Sequence, residues 1–256
     1  MLHVFRYHVR DVLRSRWTLG YGGLLLALTE ALFRMGSGAE QVLLSLSNVA
    51  LVLVPLVSLV FGTVYLYSAR EFVELMLSQP LPRRALFAGL YAGLAVPLAA
   101  AFALGVLLPF AVRAETSKAL FVLVGSGLAL TLIGCAIAAY LTVRFDDRLR
   151  GLGAALSVWL VAAVLYDGLL LLLGTAFSNY PLEAPLLALT VLNPVDLART
   201  LLILNFDAAA LLGYTGIVFE RFFKTGLGVS LSLLSLGFWT VLPLWRAARR
   251  FETKDF

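Results

Sequence analysis

Few side chains in this sequence are placed for acid–base, nucleophilic or metal chemistry. The single cysteine, Cys135, and the two histidines, His3 and His8, form no set that could hold zinc or an iron–sulfur cluster. Cys135 sits inside an apolar run and reads as a small packing residue. There is no G-x-x-x-x-G-K-[ST] phosphate loop, no H-E-x-x-H and no G-x-S-x-G. Paired ionisable groups at helical spacing, which an intramembrane protease needs, are not found in the apolar runs. The expectation is a chain with no catalytic residue, no cofactor of its own and no metal.

The polar positions that remain suggest contact and transmission. Asp167 lies well inside an apolar run. A carboxylate in mid-membrane costs roughly 2.5–3.5 kcal/mol on insertion scales, so it should face the bundle interior with a partner. It serves either coupling or substrate contact, or else a structural hydrogen bond near Tyr166 or to a serine of another helix. Glu30, near the end of an earlier run, is placed to snorkel to the outer interface. Asn193-Pro194-Val195-Asp196 reads as a turn that opens a helix, with Asn193 as cap and Pro194 in the first helical position. Placed at the outer face, Asn193, Asp196 and Arg199 would also be available to a partner beyond the membrane.

The segment Arg70 to Arg84 is the most informative. Phe72, Val73, Leu75, Met76 and Leu77 are apolar but stand between charges, and Pro80 stops the helix they would form. A short helix with an apolar face on the cytoplasmic side can dock in a groove of a partner. The plainer alternative is a connector packed on its own bundle. Arg83 and Arg84 mark the return to the membrane.

These positions need a bilayer to hold them. Of 256 residues, 61% are hydrophobic and 14% charged, and the mean hydropathy is +0.94. A soluble domain is about 45–50% apolar and about 25% charged. Apolar runs cover 18–33, 42–67, 85–112, 119–143, 151–177 and 226–244. Each can cross roughly 30 Å of hydrocarbon as a helix, the first being the shortest. The fold class is all-α: a polytopic bundle of about six transmembrane helices forming one domain over residues 1–256. Residues 1–17 form an amphipathic helix, with Leu2, Phe5, Val9, Val12 and Leu13 on one face and Arg6, Arg10 and Arg14 on another, lying in the interface. No small-residue cleavage site follows the first run, so it reads as a retained span. Residues 178–225, broken by Pro181, Pro185 and Pro194, read as short helices at or dipping into the outer interface, the rival being one or two more spans. Of the 20 Lys and Arg, 14 lie in 1–17, 69–84, 144–150 and 246–256, which places both termini in the cytoplasm. The same bias explains the net charge of +5 without nucleic acid. Gly89 and Gly93 form a G-x-x-x-G pair that permits close helix packing, including a dimer contact.

The run R-E-x-x-E-L-x-L-S-Q-P-x-x-R resembles the segment after the second span of ABC-2 type permeases, the membrane subunits of ATP-driven transporters. The matching residues are Glu71, Glu74, Leu75, Leu77, Ser78, Pro80 and Arg83. Where that family often carries Gly-Lys soon after the arginine, this chain has Gly89-Leu90. An amphipathic first helix, six spans and short outer helices before the last span complete the likeness. The stretches Arg150–Leu156, Leu165–Leu169, Leu192–Arg199 and Trp245–Phe256 further resemble the NosY-type permeases of nitrous-oxide reductase maturation. The resemblance implies a homodimer in the bacterial inner membrane. It implies two ABC ATPase subunits, which bind ATP and Mg and meet the segment 69–84. A periplasmic repeat protein would receive the transported or mechanical output, linked to copper-site assembly. Two other classes stay open: an ABC-2 exporter of a lipid, drug or peptide, and a membrane enzyme or scaffold without an ATPase.

Overall fold

The computed structural model describes residues 12, 15–36, 38–78, 82–177, 182–206, 219, 221–223 and 225–254. The expected amphipathic helix over 1–17, Pro80, Pro181 and the stretch 207–218 lie largely or wholly outside the described residues. Among the described residues there is no strand. The helices are α1 (Arg16–Arg34), α2 (Ala39–Ser68), α3 (Arg70–Leu77), α4 (Arg83–Val112), α5 (Lys118–Arg144), α6 (Arg148–Leu160), α7 (Tyr166–Ala176), α8 (Glu183–Leu192), α9 (Pro194–Asn205) and α10 (Gly226–Thr253). A π-helical segment, Val161–Leu165, joins α6 to α7 in one continuous rod.

Lipid offers no hydrogen bonds, so an apolar run must satisfy its backbone internally, and helices do so. Five described helices are long and apolar enough to cross a membrane: α2, α4, α5, the α6–α7 rod and α10. Pro55, Pro97, Pro109 and Pro243 sit inside these helices without ending them. Neighbouring helices supply polar support: Tyr91 Oη donates to the Leu132 carbonyl at 3.1 Å and Trp159 Nε1 to the Val52 carbonyl at 3.1 Å. Helix starts carry side-chain caps. The Ser117, Asp147 and Thr225 oxygens accept from the amides of Leu120, Leu149 and Gly228.

The first expected span, 18–33, is helix α1. It is 19 residues long, and three glycines, Glu30 and Arg34 make it less apolar than those five. It lies along α4, where Gly105 admits it: a Cβ there would meet the Gly22 carbonyl oxygen at 2.9 Å. Glu30 does not snorkel alone. It pairs with Arg113 at 2.9 Å and Arg34 at 3.2 Å. The short helices expected over 178–225 include the pair α8 and α9, bent by 115° at the break between them.

Helix α5 is the hub, with 61% of its spanning window buried, against 6% for the α6–α7 rod. Its small residues let α2 and α4 close on it. A Cβ at Gly134 would overlap Ser58, and one at Gly127 would overlap the Phe102 ring. Gly89 and Gly93 are buried inside α4's own packing, so they offer no surface to a second copy. Cys135 is fully buried.

Candidate functional site

Helix α3 is built as a two-faced plate. Glu71, Glu74, Leu75 and Ser78 are exposed, Leu75 by 66%. Their spacing of three and four residues puts them on one stripe. On the other face Val73 is buried, and Met76 and Leu77 pack with Leu86, Phe87, Leu90, Ala247 and Phe251. Of the two readings of this segment, a docking face or a connector packed on its own bundle, the inner face of α3 fits the second. Most of them close the protein's own core, and only Leu75 stands free.

The plate is fastened where it begins. At its start, Arg70 Nη1 donates to the Asp146 carbonyl at 2.7 Å, and Nη2 to those of Thr142 and Phe145 at 3.0 and 2.9 Å. Its guanidinium lies 4.5 Å over the Tyr67 ring. Tyr67 Oη donates to the Phe145 carbonyl at 2.8 Å. Lys254 Nζ reaches the Val143 carbonyl at 3.1 Å and the Asp146 carboxylate at 2.6 Å. Two cations thus sit at the C-terminus of α5, where unpaired carbonyls and the helix dipole favour positive charge. Lys254 holds the Asp146 carboxyl below the usual carboxylate range. Beyond the plate, Arg83 Nη1 donates to the Glu252 and Lys254 carbonyls, each at 2.9 Å, and Arg84 pairs with the Glu252 carboxylate. Arg83 is therefore a clamp on the end of α10 and not a free contact residue. Sequence reasoning did not single out Arg70, Tyr67, Asp146 or Lys254. Their partners are carbonyls distant in the chain, and only the crowding of basic residues near segment ends hinted at them.

A second polar cluster lies where α8 turns into α9. Asp167 of α7 forms an ion pair with Arg199 of α9, and Asp196 stands 4.0 Å from the same guanidinium. The expected partner of Asp167, a serine or a neighbour of Tyr166, is thus replaced by an arginine. Asn193 caps α9 at the Val195 amide, 3.0 Å, and donates to the Ala162 carbonyl at 2.8 Å. That carbonyl belongs to the π-helical segment. Tyr166 Oη donates to the Leu189 carbonyl at 2.6 Å, Ser235 Oγ to Val191 at 2.6 Å and Trp239 Nε1 to Leu192 at 2.9 Å. Asn193 and Asp196 are only 4% and 7% exposed. Burial turns them into the chain, so they do not form the outward partner surface that their positions suggested. Asp196 Oδ2 is buried with no hydrogen-bond partner.

Neither cluster gathers a nucleophile with a base. Among the described residues no group of three His, Cys, Asp or Glu could hold a metal. An exposed plate on a braced bundle can bind and be pushed.

No family model matches the chain. Among curated proteins, a probable ABC transporter permease protein NosY of Pseudomonas aeruginosa is 30% identical over 266 aligned residues, covering 96% of this chain and 93% of that one. A second protein of that name, from Stutzerimonas stutzeri, is 25% identical over 228 residues, covering 81% and 82%. With near-complete coverage on both sides and an apolar helical bundle beneath it, this chain belongs to the NosY-type permease subunits of ABC transporters and is a multi-pass membrane protein.

Proposed function

We propose that the chain is the transmission subunit of an ABC complex, driven through the exposed stripe of α3. A partner ATPase subunit is implied by the family; the reading here is that this ATPase, not the permease, binds ATP and Mg and grips Glu71, Glu74, Leu75 and Ser78. The observation that carries the proposal is the division of α3. Its inner face and its start are built into the bundle, while the outer stripe is exposed. Force applied to such a plate moves the α5 terminus and the end of α10 with it. Two copies of the chain would work with two ATPases in the bacterial inner membrane, α3 and both termini on the cytoplasmic side. The output would pass to a periplasmic repeat protein in copper-site assembly of nitrous-oxide reductase.

The test is a mild-detergent pull-down of the tagged chain from native membranes, with partners identified by mass spectrometry. The ATPase and a periplasmic repeat protein should both be recovered. The double charge reversal Glu71→Arg with Glu74→Arg should lose the ATPase while thermal unfolding stays unchanged. Undiminished ATPase recovery with that variant would remove α3 as the contact. Recovery of the ATPase alone would leave a general exporter.

A further inference from the structure

A groove of about 690 Å³ opens on the side of the bundle between α1, α2 and the first half of α6. That volume lies within the roughly 300–1,000 Å³ of small-molecule sites. Leu24, Val57, Phe61 and Leu156 help form apolar walls, while Arg16 and Arg148 are its only charged lining residues. Both arginines lie at the α3 end of the molecule. Arg148 follows Asp146 and Asp147, whose carbonyls accept from Arg70 and Tyr67. Helix α1 runs from Arg16 toward Glu30, which meets Arg113 at the far end of α4. Neither Arg16 nor Arg148 forms an ion pair among the described residues.

Two unpaired cations over an apolar slot complement an anionic amphiphile, and basic pockets between transmembrane helices are known to take such headgroups. Trp17, also in the lining and 75% exposed, has the amphipathic ring expected at headgroup level. Gly20 also lines the groove. A Cβ there would meet nothing within 4 Å, whereas at Gly22, two residues on, it would meet Ala101 at 3.4 Å. Packing within the chain does not require Gly20 to be small, so a bulky side chain there would take up groove space without displacing core residues.

We infer that this groove binds an anionic phospholipid of the surrounding bilayer, with its phosphate at Arg16 and Arg148 and an acyl chain along Leu24, Val57 and Phe61. The lipid is a resident ligand and not the cargo, and the inference does not rest on the ATPase reading. Native mass spectrometry of the purified full chain, titrated with phosphatidylglycerol or phosphatidylcholine, tests it. Phosphatidylglycerol should be retained in preference, and Arg16→Gln or Arg148→Gln should each weaken that preference roughly fivefold. Gly20→Phe fills the groove and should abolish retention with no change in the unfolding midpoint. Equal retention of the two lipids, or retention unaltered by Gly20→Phe, would overturn the site. So would a Gly20→Cys chain that forms a disulfide-linked dimer in its membrane, because a second copy would then occupy the groove.

Discussion

Two carboxylates share one guanidinium at the α7–α9 contact, so the three substitutions there should not be equivalent. Arg199→Ala leaves Asp167 and Asp196 facing each other with no cation. Removing one partner of a buried pair typically costs about 3–5 kcal/mol, and with these side chains 24% and 33% exposed the loss here should fall below that range. Asp167→Asn leaves Arg199 with Asp196, 4.0 Å away, and should cost clearly less. Asp196→Asn removes a charge whose Oδ2 has no partner, so it should be the mildest of the three. Unfolding of the purified variants in detergent gives the order, and an Arg199→Ala chain as stable as the wild type would mean the pair does not hold α9. At the other end, Asp146 titrates with a visible sign. Its folded pKa is depressed by Lys254, so the bond stabilises the fold above the ordinary aspartate value of about 3.9. That stabilisation fades only as pH falls through the lower folded value. Hydrogen exchange at the end of α10 should therefore be unchanged between neutral pH and mildly acidic pH, after correction for intrinsic rates, and should rise below pH ~4. Lys254→Met should remove the acid-dependent step. Asp146 is 83% exposed in its side chain, so the step should shrink in high salt.

At the scale of elements, α3 separates fold from function within two residues. Val73 is 4% exposed and Leu75 66%. Val73→Ala should cost about 1–2 kcal/mol through lost burial and a small void. Leu75→Ala should leave stability within about 0.5 kcal/mol and yet lower capture of the ATPase. Paired unfolding and pull-down measurements check both, and a Leu75→Ala chain that loses stability instead would place that side chain in the core. This contrast also marks what the sequence could and could not disclose. The runs 85–112 and 119–143 became Arg83–Val112 and Lys118–Arg144, because in lipid an apolar run has almost no alternative to a helix. Which face of the charged segment turns inward was not legible. Phe72, Val73, Leu75, Met76 and Leu77 are all apolar, and the choice depends on where Phe87 and Phe251 stand in space. The π-helical turn Val161–Leu165 is written in plain aliphatic residues and Ala, with nothing to announce it. A tertiary contact meets it there: Asn193, far along the chain, donates to the Ala162 carbonyl. The bundle around Asp167 was expected from the cost of a bare carboxylate, but its partner depended on the 115° bend that brings Arg199 back.

For the molecule as a whole, the question is whether a push on α3 deforms the bundle or carries it. A single apolar core joins residues of α1, α2, α4, α5 and α9, and close-packed interiors resist continuous deformation. The α3 plate is tied to the C-terminus of α5 through Arg70 and packs on α10 at Ala247 and Phe251, while α4 is tied to α10 through Arg83 and Arg84. The far turn is tied to the α6–α7 rod through Asn193 and to α10 through Trp239. Helix α10 thus touches both polar clusters and can act as the strut between them. Rigid-body motion of this kind is one of the established ways in which domains transmit a signal. Spin labels at Ser68, exposed at the end of α2, and Leu192, 62% exposed at the α8–α9 turn, report on it in the assembled complex. The label pair within one chain should keep its distance to within ~2 Å through the ATP cycle, since a packed core admits little more, while pairs between two copies should change. Heterodimers carrying both labels on one copy isolate the intrachain distance. A larger intrachain shift would show that the bundle bends, and the hinge to examine would then be the π-helical turn between α6 and α7. Cutting the strut supplies the control. Deleting residues 252–256 removes the Glu252 and Lys254 anchors of Arg83, Arg84 and Asp146, and leaves the exposed stripe of α3 in place. That chain should still capture the ATPase, but the change between copies should no longer follow ATP. Loss of capture together with loss of the change would mean that the tail holds α3 in shape and is not a strut.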